Sequence, residues 1–209
     1  MAAIQIAIKF INIDMQTLLL VRHADRLDFI QPEWFETALR RYDPPLAQIG
    51  FDLALSLAHE LSQASIGQIF ASPFLRTIQT AAPLARLLEL PIQLEWGLCE
   101  WLCQDWTTAF PATMPIDELM MDYPIDQSYQ SLVVPGYPET KTQLQKRTKM
   151  IAHKLVQSTS ENMLAIAHKG SILGIAAALT RNNDWLTQEL LCGERIELVR
   201  DGANWREIG

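Results

Sequence analysis

Residues 18–26 read LLLVRHADR, an apolar run that ends in a histidine between two arginines. An apolar run of this kind reads as a buried strand. In α/β proteins ligands bind beyond the carboxyl ends of parallel strands. Arg22, His23 and Arg26 are therefore expected to emerge together at the rim of a sheet. Two guanidiniums there make an anion site, and phosphate suits their forked donors best. A histidine inside such a site can act as a nucleophile toward phosphorus. Taken alone, the arginine–histidine pair is better explained by a surface loop with incidental charge.

Two further segments change that balance. Ser72-Pro73-Phe74-Leu75-Arg76 follows the apolar run 66–71. Ser72 reads as an N-cap with a proline at the first helical position. Arg76 then sits in the first turn, where free N–H groups and the helix dipole favour an anion. A third run, 162–167, ends in Ala167-His168-Lys169-Gly170. Two strand ends thus deliver a histidine each, and two deliver arginines, which is hard to produce by chance.

The elements that must position these groups alternate along the chain. A strand over 16–23 is followed by a loop to residue 45 with a short helix near 32–40, and by the rigid turn Asp43-Pro44-Pro45. The next helix carries Phe51, Ala54, Leu55, Ala58 and Leu61 on one face. The helix from Phe74 meets Pro83, where a kink or restart is expected. Ile92–Leu94 reads as a strand. Residues 96–138 hold Trp96, Trp101 and Trp106 with five prolines, too irregular to continue the pattern. They read as an inserted cap, with the three tryptophans and Phe110 as its core in preference to a substrate platform, the alternative for the same cluster. Residues 139–157 form a basic amphipathic helix with Leu144, Ile151 and Leu155 inward. A small-residue helix follows from Ser171, and Ile196–Ile208 reads as a hairpin around Asp201-Gly202. The expected class is α/β: three layers, a mainly parallel sheet flanked by helices, a cap and a C-terminal hairpin, all within one domain spanning 1–209.

Bulk properties narrow the partners. The 209 residues are 49% hydrophobic and 20% charged, as in ordinary globular proteins, and the net charge is −7. Broad attraction to nucleic acid or to an anionic membrane is not expected, so any anion site must be a local basic pocket. No run is long enough to span a membrane. Cys99, Cys103 and Cys192 are an odd, sparse set, which fits a reducing, cytoplasmic setting and no disulfide framework. The Cys99/Cys103 spacing has no second pair to complete a tetrahedral zinc site, and no carboxylate cluster suited to magnesium is evident. No metal and no cofactor are expected. Residues 1–13 are apolar, but Lys9 interrupts them and no small-residue cleavage site follows, which disfavours a signal peptide. Met15 is an alternative start, with 1–14 as an upstream extension.

In order, VRHADR, PPLAQIG, ASPFLRTIQTA, LCEW and AIAHKG resemble the histidine phosphatase (phosphoglycerate mutase-like) superfamily, from about Thr17 to Leu179. RHADR, DPP…G, Gly97-Leu98-Cys99-Glu100-Trp101 and AH, at comparable places, more closely resemble the branch of T-cell-receptor-signalling suppressor phosphatase domains. The resemblance implies that His23 is the nucleophile that becomes phosphohistidine. It implies that Arg22, Arg26 and Arg76 hold the phosphoryl oxygens, that His168 is the second histidine of the pocket, and that Glu100 protonates the leaving group. Glu95 and Asp105 are rival acids, and Arg26 has Asp28 as an alternative partner. The chain departs from the family pattern at Ala24 and Asp25, where glycine and glutamate are usual, and at Ala47 and Leu53. Lys169 replaces the aspartate from which another branch draws its acid.

Three functions follow as expectations. The first is a metal-independent phosphomonoesterase acting on a small phosphorylated substrate or phosphopeptide. The second is a mutase-like phosphoryl transfer. The third is a non-catalytic module that binds phosphorylated ligands. Neither the substrate nor the oligomeric state follows from the sequence, and a dimer is compatible with it.

Overall fold

The computed structural model describes residues 15–208; the expectations for an upstream extension or signal peptide at 1–14 lie outside them. The chain opens with strand β1 (Thr17–Arg22), then the short helices α1 (Leu27–Ile30) and α2 (Trp34–Thr37), and helix α3 (Gln48–Leu61). Strand β2 (Gln68–Ala71), helix α4 (Leu75–Leu87) and strand β3 (Ile92–Leu94) follow. The cap segment contributes a 3₁₀ turn, Trp96–Leu98, and helix α5 (Ile116–Asp122). Helix α6 (Lys141–Ser158), strand β4 (Met163–Ala167), helix α7 (Lys169–Thr180) and a 3₁₀ turn, Asn183–Thr187, lead to the hairpin of β5 (Arg195–Asp201) and β6 (Asn204–Glu207).

The six strands form one sheet in the order β3-β2-β4-β1-β5-β6. The first four run parallel, and the hairpin adds two antiparallel strands beyond β1. Alternation along the strands gives two cores. Leu18 and Leu20 join Met163, Ala165 and Ala167 under α6 and α7, while Leu19 and Val21 join Leu164 and Ile166 under α3 and α4. The result is the expected three-layer α/β arrangement. Strand β4 is central, and its register aligns the functional ends: Arg22 pairs with Ala167, and Ala71 with Ile166. The residues after β1, β2 and β4 therefore leave the sheet side by side.

The structure corrects the local reading in four places. Helix α3 buries Gly50, Ala54, Leu57, Ala58 and Leu61, whereas Phe51 and Leu55 are exposed. Its rotation is set by Gly50, where a Cβ would lie 2.2 Å from the Asp25 carbonyl oxygen. Helix α4 runs through Pro83 without a restart, because most of its side chains are buried and hold both flanks in place. The N-cap position of α4 is Phe74, not Ser72, and it makes no side-chain cap bond. The cap comes from far away: the Leu75 N–H donates to Asp43 Oδ1 at 2.7 Å. Trp106 and Phe110 are exposed rather than core.

The close approach of α3 to Asp25 also seats the segment that follows His23. The Ala47 N–H donates to the Asp25 carbonyl at 2.9 Å, and the Leu27 N–H to the Pro45 carbonyl at 2.9 Å. Gly50→Ala should destabilise the protein by about 1–3 kcal/mol, the usual cost of overpacking, against a helix-propensity gain of at most about 1 kcal/mol. Urea unfolding checks this; a variant as stable as the parent would mean that the backbone gives way freely here.

Candidate active site

His23, 1% exposed, leaves β1 with its N–H bonded to the Ala167 carbonyl of β4 at 3.0 Å. Its Nδ1 lies 2.8 Å from the Ala24 carbonyl oxygen. A carbonyl only accepts, so the proton sits on Nδ1 and Nε2 carries the free lone pair. Burial, followed by the charge of Arg76 and then of Arg22 and Arg26, holds the imidazole well below its ordinary pKa, and the Ala24 bond opposes this. His23 is thus neutral at physiological pH, with an unprotonated Nε2.

His168 occupies the N-cap position of α7, fully buried, with its ring centroid 5.2 Å from that of His23. Arg76 Nη2 donates to its Nδ1 at 3.2 Å, and its Nε2–H donates to Ser72 Oγ at 2.9 Å. Burial and then Arg76 keep this imidazole neutral as well. Phe74 packs edge-on against it at 5.3 Å. Ser72, read from the sequence as a cap, instead accepts the Nε2–H of His168, whose tautomer is fixed by the Arg76 donor on Nδ1.

Arg76 is 2% exposed, in the first turn of α4. Burial, with Arg26 next, pushes its guanidinium down to about 10, which leaves it charged at neutral pH. Nε and Nη1 are buried and have no hydrogen-bond partner in the protein. Nε and Nη1 lie on different edges of the guanidinium, so each is a separate charged donor suited to an anionic oxygen. Its nearest carboxylate is Glu100, Oε2 3.8 Å from Nη2 and 3.5 Å from His168 Nδ1.

The other expected residues divide around this centre. Arg26 pairs with Asp28 and stacks on Phe29, the alternative considered from the sequence, yet it still lines a cavity of about 330 Å³ with Arg76 and Glu100. Arg22 donates from Nη1 to the Leu190 carbonyl, and its Nε is buried without a partner. It lines an adjoining cavity of about 370 Å³, which shares Glu100, Trp101 and Trp106 with the first. These two tryptophans stand edge-to-face at 5.2 Å and form a wall of the site. The two other candidate carboxylates lie apart from this centre. Glu95 is fully buried and accepts from Tyr129 OH, Ser131 Oγ and the N–H groups of Gly97, Leu132 and Val133. Asp105 is exposed and lines neither cavity.

Neighbouring polar residues hold this arrangement. Thr80 Oγ1 donates to the Arg76 carbonyl at 2.7 Å and accepts from the Ala24 N–H at 3.0 Å, tying the His23 loop to α4. Gln79 Oε1 accepts from the Leu46 N–H at 2.7 Å. Glu100 is positioned through its own backbone. Arg147, 4% exposed, donates from Nη1 to the carbonyls of Gly97 (2.8 Å) and Cys99 (3.0 Å), and from Nη2 to that of Glu100 (3.3 Å). The same guanidinium forks onto buried Glu139, with both bonds at 2.8 Å.

Two predictions follow from these contacts. Lowering the pH through about 6.5, the ordinary imidazole value, should leave the NMR signals of His23 and His168 at their neutral positions. The unfolded chain takes up those protons and the native state does not. The histidine contribution to stability is therefore complete above about pH 6.5 and declines below it. A titration midpoint at or above 6.5 for either ring would contradict the geometry. Arg147→Met should cost about 3–5 kcal/mol, because it strands the Glu139 carboxylate in the interior. Adding Glu139→Leu should recover only part of this, since the Gly97 and Cys99 carbonyls still lack their donor. A loss below about 1 kcal/mol in urea unfolding would show that the clamp is not tight.

Residues 18–200 match the family described as the histidine phosphatase superfamily (branch 1). The transcription factor tau 55 kDa subunit of Saccharomyces cerevisiae is 28% identical over 178 residues, 79% of this chain and 41% of that protein. The ecdysteroid-phosphate phosphatase of Drosophila melanogaster is 26% identical over 209 residues, 82% of this chain and 28% of that protein. The chain thus spans less than half the length of either relative. Among solved structures, the ecdysone phosphate phosphatase EPPase from Bombix mori, in complex with tungstate, superposes with a TM-score of 0.76 at 21% identity, covering 93% of this chain and 92% of that one. With a family match over most of its length and the fold to go with it, this chain belongs to the histidine phosphatase superfamily.

Proposed function

We propose that this protein is a phosphomonoesterase that works through a phosphohistidine on His23. The observation that carries the reading is the neutral imidazole with a free Nε2 beside a buried guanidinium that has two unpartnered donors. Family membership and the phosphatase named among its relatives support it. In the first step the Nε2 lone pair forms a bond to phosphorus and the bond to the ester oxygen breaks. Glu100 gives its proton to that oxygen, so the alcohol leaves neutral. In the second step water attacks the phosphohistidine, Glu100 takes a proton from it, and the P–N bond breaks to release inorganic phosphate and restore His23. Charge on the equatorial oxygens is met by Arg76, Arg22 and Arg26, and His168 orients Arg76 by accepting from its Nη2.

A second reading keeps the site for binding alone. The similar yeast protein is named as a transcription factor subunit rather than as an enzyme. The two readings differ in turnover.

Rapid quenching with radiolabelled substrate should trap an acid-labile, alkali-stable label that is absent from His23→Ala. Phosphate binding without release would favour the binding module, and transfer to an added alcohol in place of water would identify a mutase. Glu100→Gln should lose about 10²-fold or more in kcat on an alkyl phosphate, the usual scale for a general acid. It should lose far less on a nitrophenyl phosphate, whose leaving group needs no proton. Equal losses on both esters would remove Glu100 from that role.

A further inference from the structure

Beyond Glu100 the site opens into the second cavity, between the first turns of α6 and α7. Its floor is apolar, made by Leu144, Leu173 and Leu186 with Gly170, and Trp101 and Trp106 close one side. Its charged lining is Arg22, Lys141 and Lys169, and Glu100 at the mouth is the only carboxylate among the lining residues. The trough continues into a neighbouring cavity of about 520 Å³, which shares Gln145, Thr148, Gly174 and Leu186 and adds Lys149 and Arg181 without any carboxylate. On a chain of net charge −7 this is a marked local concentration of positive charge.

The placement of the two lysines is mildly unfavourable, Lys141 being exposed and Lys169 partly buried. Lys141 and Lys169 are the first residues of α6 and α7, the helix ends that already carry partial positive charge. A cation there is disfavoured by the dipole, and here two such ends face one cavity. Little nearby offsets them. Glu189 pairs with Lys169 at 2.6 Å but is 83% exposed, so the pair is weak. Lys141 makes no ion pair among the described residues. Arg22 donates to the neutral Leu190 carbonyl and makes no ion pair among the described residues, with the exposed Glu189 carboxylate near enough to feel its charge. The first cavity differs, because its Arg26 is already paired with Asp28.

We propose that this trough is a leaving-group subsite for phosphomonoesters whose alcohol part carries an apolar body and a second anionic group. The apolar body lies on the leucine floor against Trp101, and the anion meets Lys141 and Lys169. This rests on the phosphatase reading for which end of the ligand lies at His23. The charge pattern that selects the anion is independent of turnover.

The test compares two non-hydrolysable phosphonates that differ by one charge, 3-(4-phosphonomethylphenyl)propionate and its amide, by titration calorimetry with the whole chain. The carboxylate should bind about tenfold tighter or better at low salt, as expected for one added charge near two cations. The preference should shrink at high salt and fall toward unity in Lys141→Gln/Lys169→Gln. Equal affinities, binding of neither ligand, or a preference that survives in the double variant would overturn the subsite. Turnover of the corresponding phosphate esters separates the two claims. A carboxylate preference in binding without hydrolysis keeps the subsite and removes the phosphatase. Hydrolysis of both esters with no preference in binding does the reverse.

Discussion

Arg76 is a full positive charge held at 2% exposure, with its nearest carboxylate oxygen 3.8 Å away and two of its donors unpartnered. Burying a charge is costly unless it is paired and hydrogen-bonded, and Glu100 supplies only part of the pairing. The surrounding structure must therefore fix the guanidinium by other means. Phe74 lies against it, with the guanidinium carbon 4.6 Å from the ring centroid, and His168 accepts one of its hydrogens. The same charge sets the chemistry of its neighbours. It is the largest electrostatic influence on both His23 and His168, and it acts with burial to keep both rings neutral. Two buried imidazoles and a guanidinium so close together are compatible because both rings are uncharged.

That arrangement needs three strand ends and a helix start at fixed separations, and α4 does much of the fixing. Arg76, Gln79 and Thr80 lie at i, i+3 and i+4, on one face of the helix. The first faces the site, and the other two hold the segments that carry Leu46 and Ala24. Asp43 caps the same helix and also accepts from the Met114 N–H at 3.0 Å, so one buried carboxylate joins the loop after β1, the start of α4 and the cap segment. Burial pushes the Asp43 carboxyl up, while the Leu75 and Met114 N–H groups and the Arg76 charge oppose it. The function of the site and the folding of its walls therefore share residues.

How much of this was legible in the sequence depended on where each partner lay in the chain. The placement of His23 and His168 was legible because each follows an apolar run directly, and that of Arg76 because it falls in the first turn of the helix after such a run; parallel strands deliver these segments to one edge. Their separations rest on the register of β4 between β1 and β2, which no local pattern encodes. Ser72 was misread because Ser-Pro is a good local signal for a helix start, whereas its real partner, His168, lies 96 residues away. Asp43 was read as a turn residue for the same reason, with its helix 32 positions on. Trp106 was assigned to a cap core on hydrophobicity alone; the structure leaves it 57% exposed on the cavity wall. Arg147 did carry a signal. It falls at helical spacing between Leu144 and Ile151, on the buried stripe of α6, where an arginine demands a partner.

The Arg147–Glu139 pair is best understood through what else it touches. A buried ion pair is weak evidence for stability, since well-packed apolar residues often do as well. Apolar side chains could fill the space, but they could not bond to the carbonyls of Gly97, Cys99 and Glu100, which turn away from any regular strand or helix. The backbone here is irregular because it must bring a carboxylate from the cap down to the sheet edge, and irregular buried backbone must find partners outside secondary structure. A guanidinium with five donors answers several carbonyls at once, and Glu139 answers its charge. Glu139 also accepts from the Leu102 N–H at 3.4 Å, so the clamp closes on both sides of Glu100. The buried charge in the cap and the buried charge in the pocket thus have different roles. Arg147 is saturated by protein atoms and holds geometry, whereas Arg76 keeps donors free for a ligand.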